Sequence, residues 1–201
     1  MPADVRMPPS LLESRFVRHR PRAMQTYPEH LVRTLTLADG TPITLRPIRA
    51  ADAGIEQEFV RGLSDESRYF RFMDMLRELS PQMLKQMTDI DYHDQMALIA
   101  VTRRHDREFQ LAVGRYVVFP NGHDCEFAVV VGDEWQTKGI ATTLMRVLIE
   151  AARKRGLTTM IGEVLASNTR MLHFVRKLGF HAAADPQDPR QMRVTKNLLQ
   201  P

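Results

Sequence analysis

Apolar and polar positions repeat along this chain with two periods, and each change of period marks an element. Leu31 to Leu37 and Thr41 to Ile48 alternate like strands around Asp39-Gly40, a strong hairpin signal. In the second of these, Ile43, Leu45 and Pro47 alternate with Thr44 and Arg46. After Arg49-Ala50-Ala51-Asp52 the period becomes helical, with Ile55, Phe59, Val60 and Leu63 on one face. Ser64 to Ser67 reads as a cap and turn before a second helix, about Ser67 to Leu76. Its aromatics Tyr69, Phe70 and Phe72 belong either to the core, the usual fate of such side chains, or to a binding cleft. Ser80-Pro81 opens a third helix, with Met83, Leu84 and Met87 inward.

The strand period then returns. Asp89 to Asp94 is a polar loop, followed by strands at Met96 to Thr102, Gln110 to Phe119 and Cys125 to Val131. Arg103 to Glu108 and Pro120-Asn121-Gly122 are the turns between them, and Gly114 inside the middle strand signals a bulge or a close backbone approach. Up to here the pattern is an antiparallel meander. A longer helix follows, about Gly139 to Arg155, with Ile140, Leu144, Val147, Leu148 and Ala151 on one face. Thr158 to Val164 is the next strand, so strand, helix and strand form a right-handed crossover and a parallel pair. Asn168 caps a last helix whose Met171, Phe174, Val175 and Leu178 face inward, and Gly179 ends it. Phe180 begins a strand, and Gln191 to Leu198 closes the chain.

Composition narrows the class. The 201 residues, 43% of them hydrophobic, suffice for one domain with a core, and residues 27–201 are expected to form it. Residues 1–26 hold Arg6, Arg15, Arg18, Arg20 and Arg22 among four prolines and read as a basic, disordered tail. A net charge of +4 suits anionic ligands, but the basic residues are interleaved with acids, which argues against nucleic acid as a partner. No apolar run is long enough to cross a membrane. Cys125 is the only cysteine, so no internal disulfide forms, and the histidines show no ligand spacing for a metal. A cytoplasmic location agrees with this cysteine usage.

One stretch carries candidate chemistry. The strand ending at Val131 meets a helix start through Gln136-x-x-Gly139-x-Ala141. A helix start presents N–H groups without intrahelical partners, together with the positive end of the helix dipole. Small residues at Gly139 and Ala141 let an anion approach, so this is a diphosphate-competent turn, with Lys138 adding charge at its rim. No Gly-Lys-Ser/Thr marks a nucleoside triphosphate loop, and no downstream acid fits a dinucleotide pattern.

Gln136-x-x-Gly139-x-Ala141, followed by Asn168 and by Leu178-Gly179-Phe180, resembles the GCN5-related N-acetyltransferase family, over roughly Ile43 to Leu198. At the front, Tyr27-Pro28, Leu45-Arg46-Pro47-Ile48-Arg49 and Ser67-Arg68-Tyr69-Phe70-Arg71-Phe72 resemble the acetyltransferase module of bacterial Pat-type protein lysine acetyltransferases. The resemblance implies an α/β (α+β) fold: a mixed central sheet, mostly antiparallel, with a parallel pair splayed at the CoA site and helices on both faces. It implies acetyl-CoA as cosubstrate, with the diphosphate on the backbone of Thr137, Lys138, Gly139, Ile140, Ala141 and Thr142 beside Gln136. Val129 and Val131 would meet the pantetheine arm, Asn168 would hydrogen-bond CoA, and Phe174 would lie near the thioester.

The same resemblance implies transfer of acetyl to a protein lysine, with a small amine as the alternative acceptor. A lysine amine is protonated near neutral pH, so a base is needed. Glu126 is the candidate, since relatives carry a glutamate at the matching position. Its alternative role is a half-exposed strand residue paired with an arginine. Strand alternation puts Glu126, Ala128 and Val130 on one face, and Cys125, Phe127, Val129 and Val131 on the other. A backbone N–H of this strand, at Val129, would polarise the carbonyl. Many relatives carry a tyrosine where this chain has Phe174, which donates no proton. That departure keeps a third reading open, an acyl-CoA-sensing module without turnover. Cys125 lacks a paired base and reads as a small buried residue.

Overall fold

The computed structural model describes residues 26–73 and 76–200. The basic segment expected at residues 1–26 lies outside them, apart from Thr26. The alternating segments form eight strands: β1 (Arg33–Thr36), β2 (Pro42–Pro47), β3 (Gln95–Arg104), β4 (Arg107–Val118), β5 (Asp124–Val131), β6 (Thr159–Leu165), β7 (His181–Ala184) and β8 (Gln191–Asn197). They form one sheet in the order β1-β2-β3-β4-β5-β6-β8-β7. Every neighbouring pair is antiparallel except β5 and β6, which are parallel. The helices are α1 (Ala53–Gly62), α2 (Asp65–Phe72), α3 (Pro81–Thr88), α4 (Ile140–Lys154) and α5 (Thr169–Lys177).

Two adjacent residues of β4 show that helices cover both faces. A Cβ at Gly114 would lie 2.8 Å from Leu148 Cδ1, so α4 packs directly on that side. Arg115 points the other way, donating to the Met87 carbonyl of α3 and lying 3.7 Å from Glu56 of α1. Gly114 therefore marks a close approach, one of the two meanings its position allowed. The ladder irregularity lies elsewhere, where Leu111 of β4 has no partner between Ala100 and Val101 of β3.

Several boundaries differ from the pattern, each for a local reason. Residues Glu29–Leu31 form a 3-10 turn rather than the start of β1, and Leu31 tucks into the core. The Ser64 hydroxyl accepts the Ser67 N–H, so α2 begins at Asp65, before Ser67. The same helix stops at Phe72, short of Leu76, because Met73 turns left-handed at φ 54°. The charged segment 103–108 is mostly strand; only His105 and Asp106, both at positive φ, make the turn, a tight two-residue hairpin.

Arg46 departs from simple alternation. It is 5% exposed, bonded to both carboxylate oxygens of Asp52 at 2.7 and 2.8 Å, and to Glu108 at 2.7 Å. In α5 the buried residues are Leu172 and Val175, while Met171 and Phe174 are only half-buried. The exposed side of that stripe faces a cleft.

Candidate functional site

The cleft begins where two strands part. β5 and β6 pair only from Asp124 to Glu126 and from Thr159 to Ile161, while β6 continues along β8 through Leu165. The β4–β5 register decides what the gap exposes. Phe119 N–H donates to the Asp124 carbonyl and Gly132 N–H to the Leu111 carbonyl, each 2.8 Å. Antiparallel pairs alternate, so the peptide groups of Glu126, Ala128 and Val130 point to β4, and those of Val129 and Val131 point away from it. With β6 gone, the Val129 and Val131 peptides face the gap.

The turn after β5 supplies the second part. Gly132 is followed by a 3-10 turn, Asp133–Trp135, then by Gln136 to Gly139. Thr137 and Gly139 are both left-handed, at φ 65° and 84°. A β-branched residue in that region is strained, and Thr137 Oγ1 compensates by donating to the Gln136 carbonyl at 2.6 Å. Gly139 is the N-cap of α4 and brings no side-chain cap. The first helical bond runs from Thr143 N–H to the Gly139 carbonyl, so the N–H groups of Ile140, Ala141 and Thr142 lie ahead of it. A Cβ at Gly139 would meet nothing within 4 Å, which leaves room over these donors. Left-handed turns and a bare helix start together form an anion cradle. The residues present therefore fit a diphosphate, and the gap behind them fits an extended amide chain.

A cleft of about 1060 Å³ runs through this opening. It brings together Glu126, Val129, Val131, Gln136, Thr137, Gly139, Ile140, Ala141, Thr142, Asn168 and Phe174. Lys138 does not border it. Its ammonium pairs with Asp39 at 2.5 Å and lies 4.9 Å from the Trp135 ring. Asn168 caps α5 with its side-chain oxygen, which accepts the Met171 N–H at 3.0 Å. His173 also borders the cleft beside Phe174, as does Ser167. Of the α2 aromatics, Phe70 lines the cleft, Phe72 lines it while 4% exposed, and Tyr69 is exposed.

Four features of the site left no mark in the residue pattern. Asp133 ties α2 to the turn, accepting from the Ser64 N–H and from the hydroxyls of Ser64 and Ser67 at 2.7 to 2.9 Å. Burial opposes the charge on Asp133, but these donations outweigh it and hold its pKa below the usual carboxylate value. Arg170 of α5 donates to Gln136 Oε1 at 2.5 Å and joins the two halves of the motif. Arg115, 4% exposed, and Arg71 of α2 both border the cleft. Register puts Arg115 opposite Ala128 and Val117 opposite Glu126, on one face. Cys125 is fully buried on the other face. Burial, then Asp124 and Glu126, pushes its thiol up to about 12, so it is no thiolate nucleophile. Among the described residues no group of three His, Cys, Asp or Glu could hold a metal, and no helix is long and apolar enough to cross a membrane.

Comparison with known proteins agrees with this geometry. A family model described as an acetyltransferase (GNAT) domain matches residues 43–181. An acetyltransferase of Pseudomonas aeruginosa is 35% identical over 157 residues, 78% of this chain and 84% of that protein. The acetyltransferase Pat of Mycolicibacterium smegmatis is 29% identical over 67% of this chain, which spans 40% of that protein's length. Among solved structures, the GNAT domain of S. lividans PAT superposes with a TM-score of 0.77 at 27% identity, covering 86% of this chain and 99% of that domain. A cAMP-binding acyltransferase from Mycobacterium smegmatis shares the fold at a TM-score of 0.56 and 23% identity, over 84% of this chain and 48% of that one.

Proposed function

The chain belongs to the GNAT acetyltransferase family, and from that premise we propose that it moves an acetyl group from acetyl-CoA to the amine of a protein lysine. The observation that carries this reading is the double use of β5 at the splay. One strand presents the Val129 peptide to the gap and the Glu126 side chain to the opposite, α2 side. A carbonyl donor and an amine acceptor need those two functions within one cleft. The Pat-type likeness, now supported by the match to the S. lividans PAT domain, favours lysine over a small amine.

Each residue then has a task. The turn from Gln136 to Thr142 holds the CoA diphosphate, and Asn168 and Phe174 border the arm. The thioester supplies the acyl group. The Val129 N–H stabilises negative charge on the carbonyl oxygen as the amine adds. Glu126 takes the amine proton, directly or through one water. Phe174 has no proton for the departing thiolate; Ser167 and His173, which also border the cleft, do.

The test is free-thiol release from acetyl-CoA in the presence of a cell lysate, with mass spectrometry of the modified proteins. Acetylated lysines with thiol release above background are expected. Acetylated small amines alone would move the acceptor to the other class, and CoA binding without thiol release would make the chain a sensor. Glu126→Gln is expected to cut turnover by about 10² to 10⁴, the usual range for a general base, with CoA affinity nearly unchanged. Loss of CoA binding in that variant would assign Glu126 a structural role instead.

A further inference from the structure

The strands that frame the opening stop pairing at a definite position. Their last partners are Glu126 and Ile161, and the same register would next set Phe127 opposite Gly162. The parallel ladder ends there instead. A Cβ at Gly162 would lie 2.6, 2.9 and 3.2 Å from Cε1, Cζ and Cδ1 of Phe127. The ring therefore occupies the space that a side chain at position 162 would need, and any larger residue there would have to displace it.

Phe127 is held in this place. It is 4% exposed, and its ring centre lies 4.9 Å from that of the buried Phe180, at an angle of 48°. Aromatic pairs at this spacing are favourable. Val164 follows Gly162 on the same face of β6 and is equally buried. Phe127, Val129, Gly162, Val164 and Phe174 all border the cleft. The opening thus has an aromatic floor and apolar walls. Glu126 and Glu163, each next to one of these residues on its strand, belong to the opposite face of the sheet.

We propose that Phe127, laid over Gly162, sets the length of acyl chain the site accepts and limits it to acetyl. The proposal rests on the reading of the opening as the seat of an acyl-CoA arm. With the diphosphate on the turn from Gln136 to Thr142, the arm runs back along β5 past Val131 and then Val129, so its acyl end points at Phe127. A carbonyl at the Val129 N–H lies two strand residues, about 7 Å, from the Phe127 backbone. The ring takes up part of that length, and a methyl group fits in the remainder. A longer chain drives against a ring backed by Phe180, and close-packed interiors resist added methylenes. The apolar floor also disfavours an acyl group ending in a carboxylate, which would be buried there without a partner.

The experiment is isothermal titration of the full chain and its variants with free CoA and with acetyl-, butyryl- and hexanoyl-CoA. It reads the acyl preference without needing the acceptor or Glu126. Wild-type affinity is expected to fall by about tenfold or more from acetyl- to butyryl-CoA, the low end of what a misfitted methylene costs in an apolar pocket, and hexanoyl-CoA should bind no better than butyryl-CoA. In F127A, butyryl-CoA should bind at least as tightly as acetyl-CoA. F127L should fall between the two and serves if F127A does not fold. Equal affinities of the wild type for all chain lengths, or an unchanged preference in the variants, would overturn the Phe127 assignment alone, because acyl-CoA would still bind. No binding of CoA or of any acyl-CoA to the wild type would overturn the donor reading, and this assignment with it.

Discussion

The two halves of the cleft are built by different means. The half proposed for the acyl-CoA donor is made of backbone: the Val129 and Val131 peptides, the left-handed turn at Thr137 and Gly139, and the bare start of α4. All of it lies within one continuous stretch, and Asn168 and Phe174 border it from farther along the chain. The half proposed for the acceptor is made of side chains. Arg71, Arg115 and Glu126 come from three elements, with Glu56 of a fourth behind Arg115, and what each meets depends on strand register and helix placement. A backbone site requires special residues at fixed local spacing, so it leaves a motif. A side-chain site requires only that a few charged residues converge, and many sequences hold charged residues in those numbers. Asp133 is the seam, one carboxylate on the donor turn that holds the acceptor helix.

Substitutions in each half test the difference. The largest effect is expected from Gly139→Glu, which sets a side chain and a charge over the helix start and forces a left-handed glutamate. CoA affinity should fall by at least about a hundredfold, since charge and shape oppose the same ligand. Isothermal titration with CoA checks this, and unchanged affinity would remove the diphosphate from this turn.

Next is Asp133→Ala, which deletes three accepted hydrogen bonds across the seam. Acceptor KM should rise several-fold while the dissociation constant for CoA changes little; a change confined to CoA binding would contradict the division into halves. The same variant has a pH signature. The Asp133 pKa is depressed in the folded chain, so its contribution is complete above the ordinary carboxylate pKa and is lost as pH falls through the folded value. Thermal melts of the wild-type chain should therefore lose stability in that acid range more steeply than melts of the variant.

The smallest effect is expected from Arg170→Ala. Its bond to Gln136 is exposed, and exposed charged contacts contribute about 0.2–1 kcal/mol. CoA binding should weaken only a few-fold, as read from the same titration.

The legibility of the molecule follows the same division. The order of strands and helices was readable because each element buries one face and so shows its period; α4, with Ile140, Leu144 and Leu148 buried, is the clearest case. Gly139 and Asn168 were readable as helix starts, because caps impose residue types. Arg46 was not. Alternation put it on the polar face of β2, but that face is covered, and only the converging carboxylates of Asp52 and Glu108 make its burial tolerable. The end of α2 is not legible, because a left-handed Met73 carries no residue signature. Adjacency alone puts Lys138 at the cleft rim, whereas Asp39, 99 residues away in sequence, holds its ammonium elsewhere.

Sequence alone determined the anion-competent turn, the strand that leads into it and the crossover that makes β5 and β6 parallel, because these are enforced by local backbone geometry. Only the tertiary structure decided that β6 leaves β5 after Glu126, that the odd-numbered peptides of β5 face the opening, and that Arg71 and Arg115 line the same cleft as Glu126. Those depend on register and on the packing of α1 to α3 against the sheet, where partners distant in the chain meet and no local residue type is required.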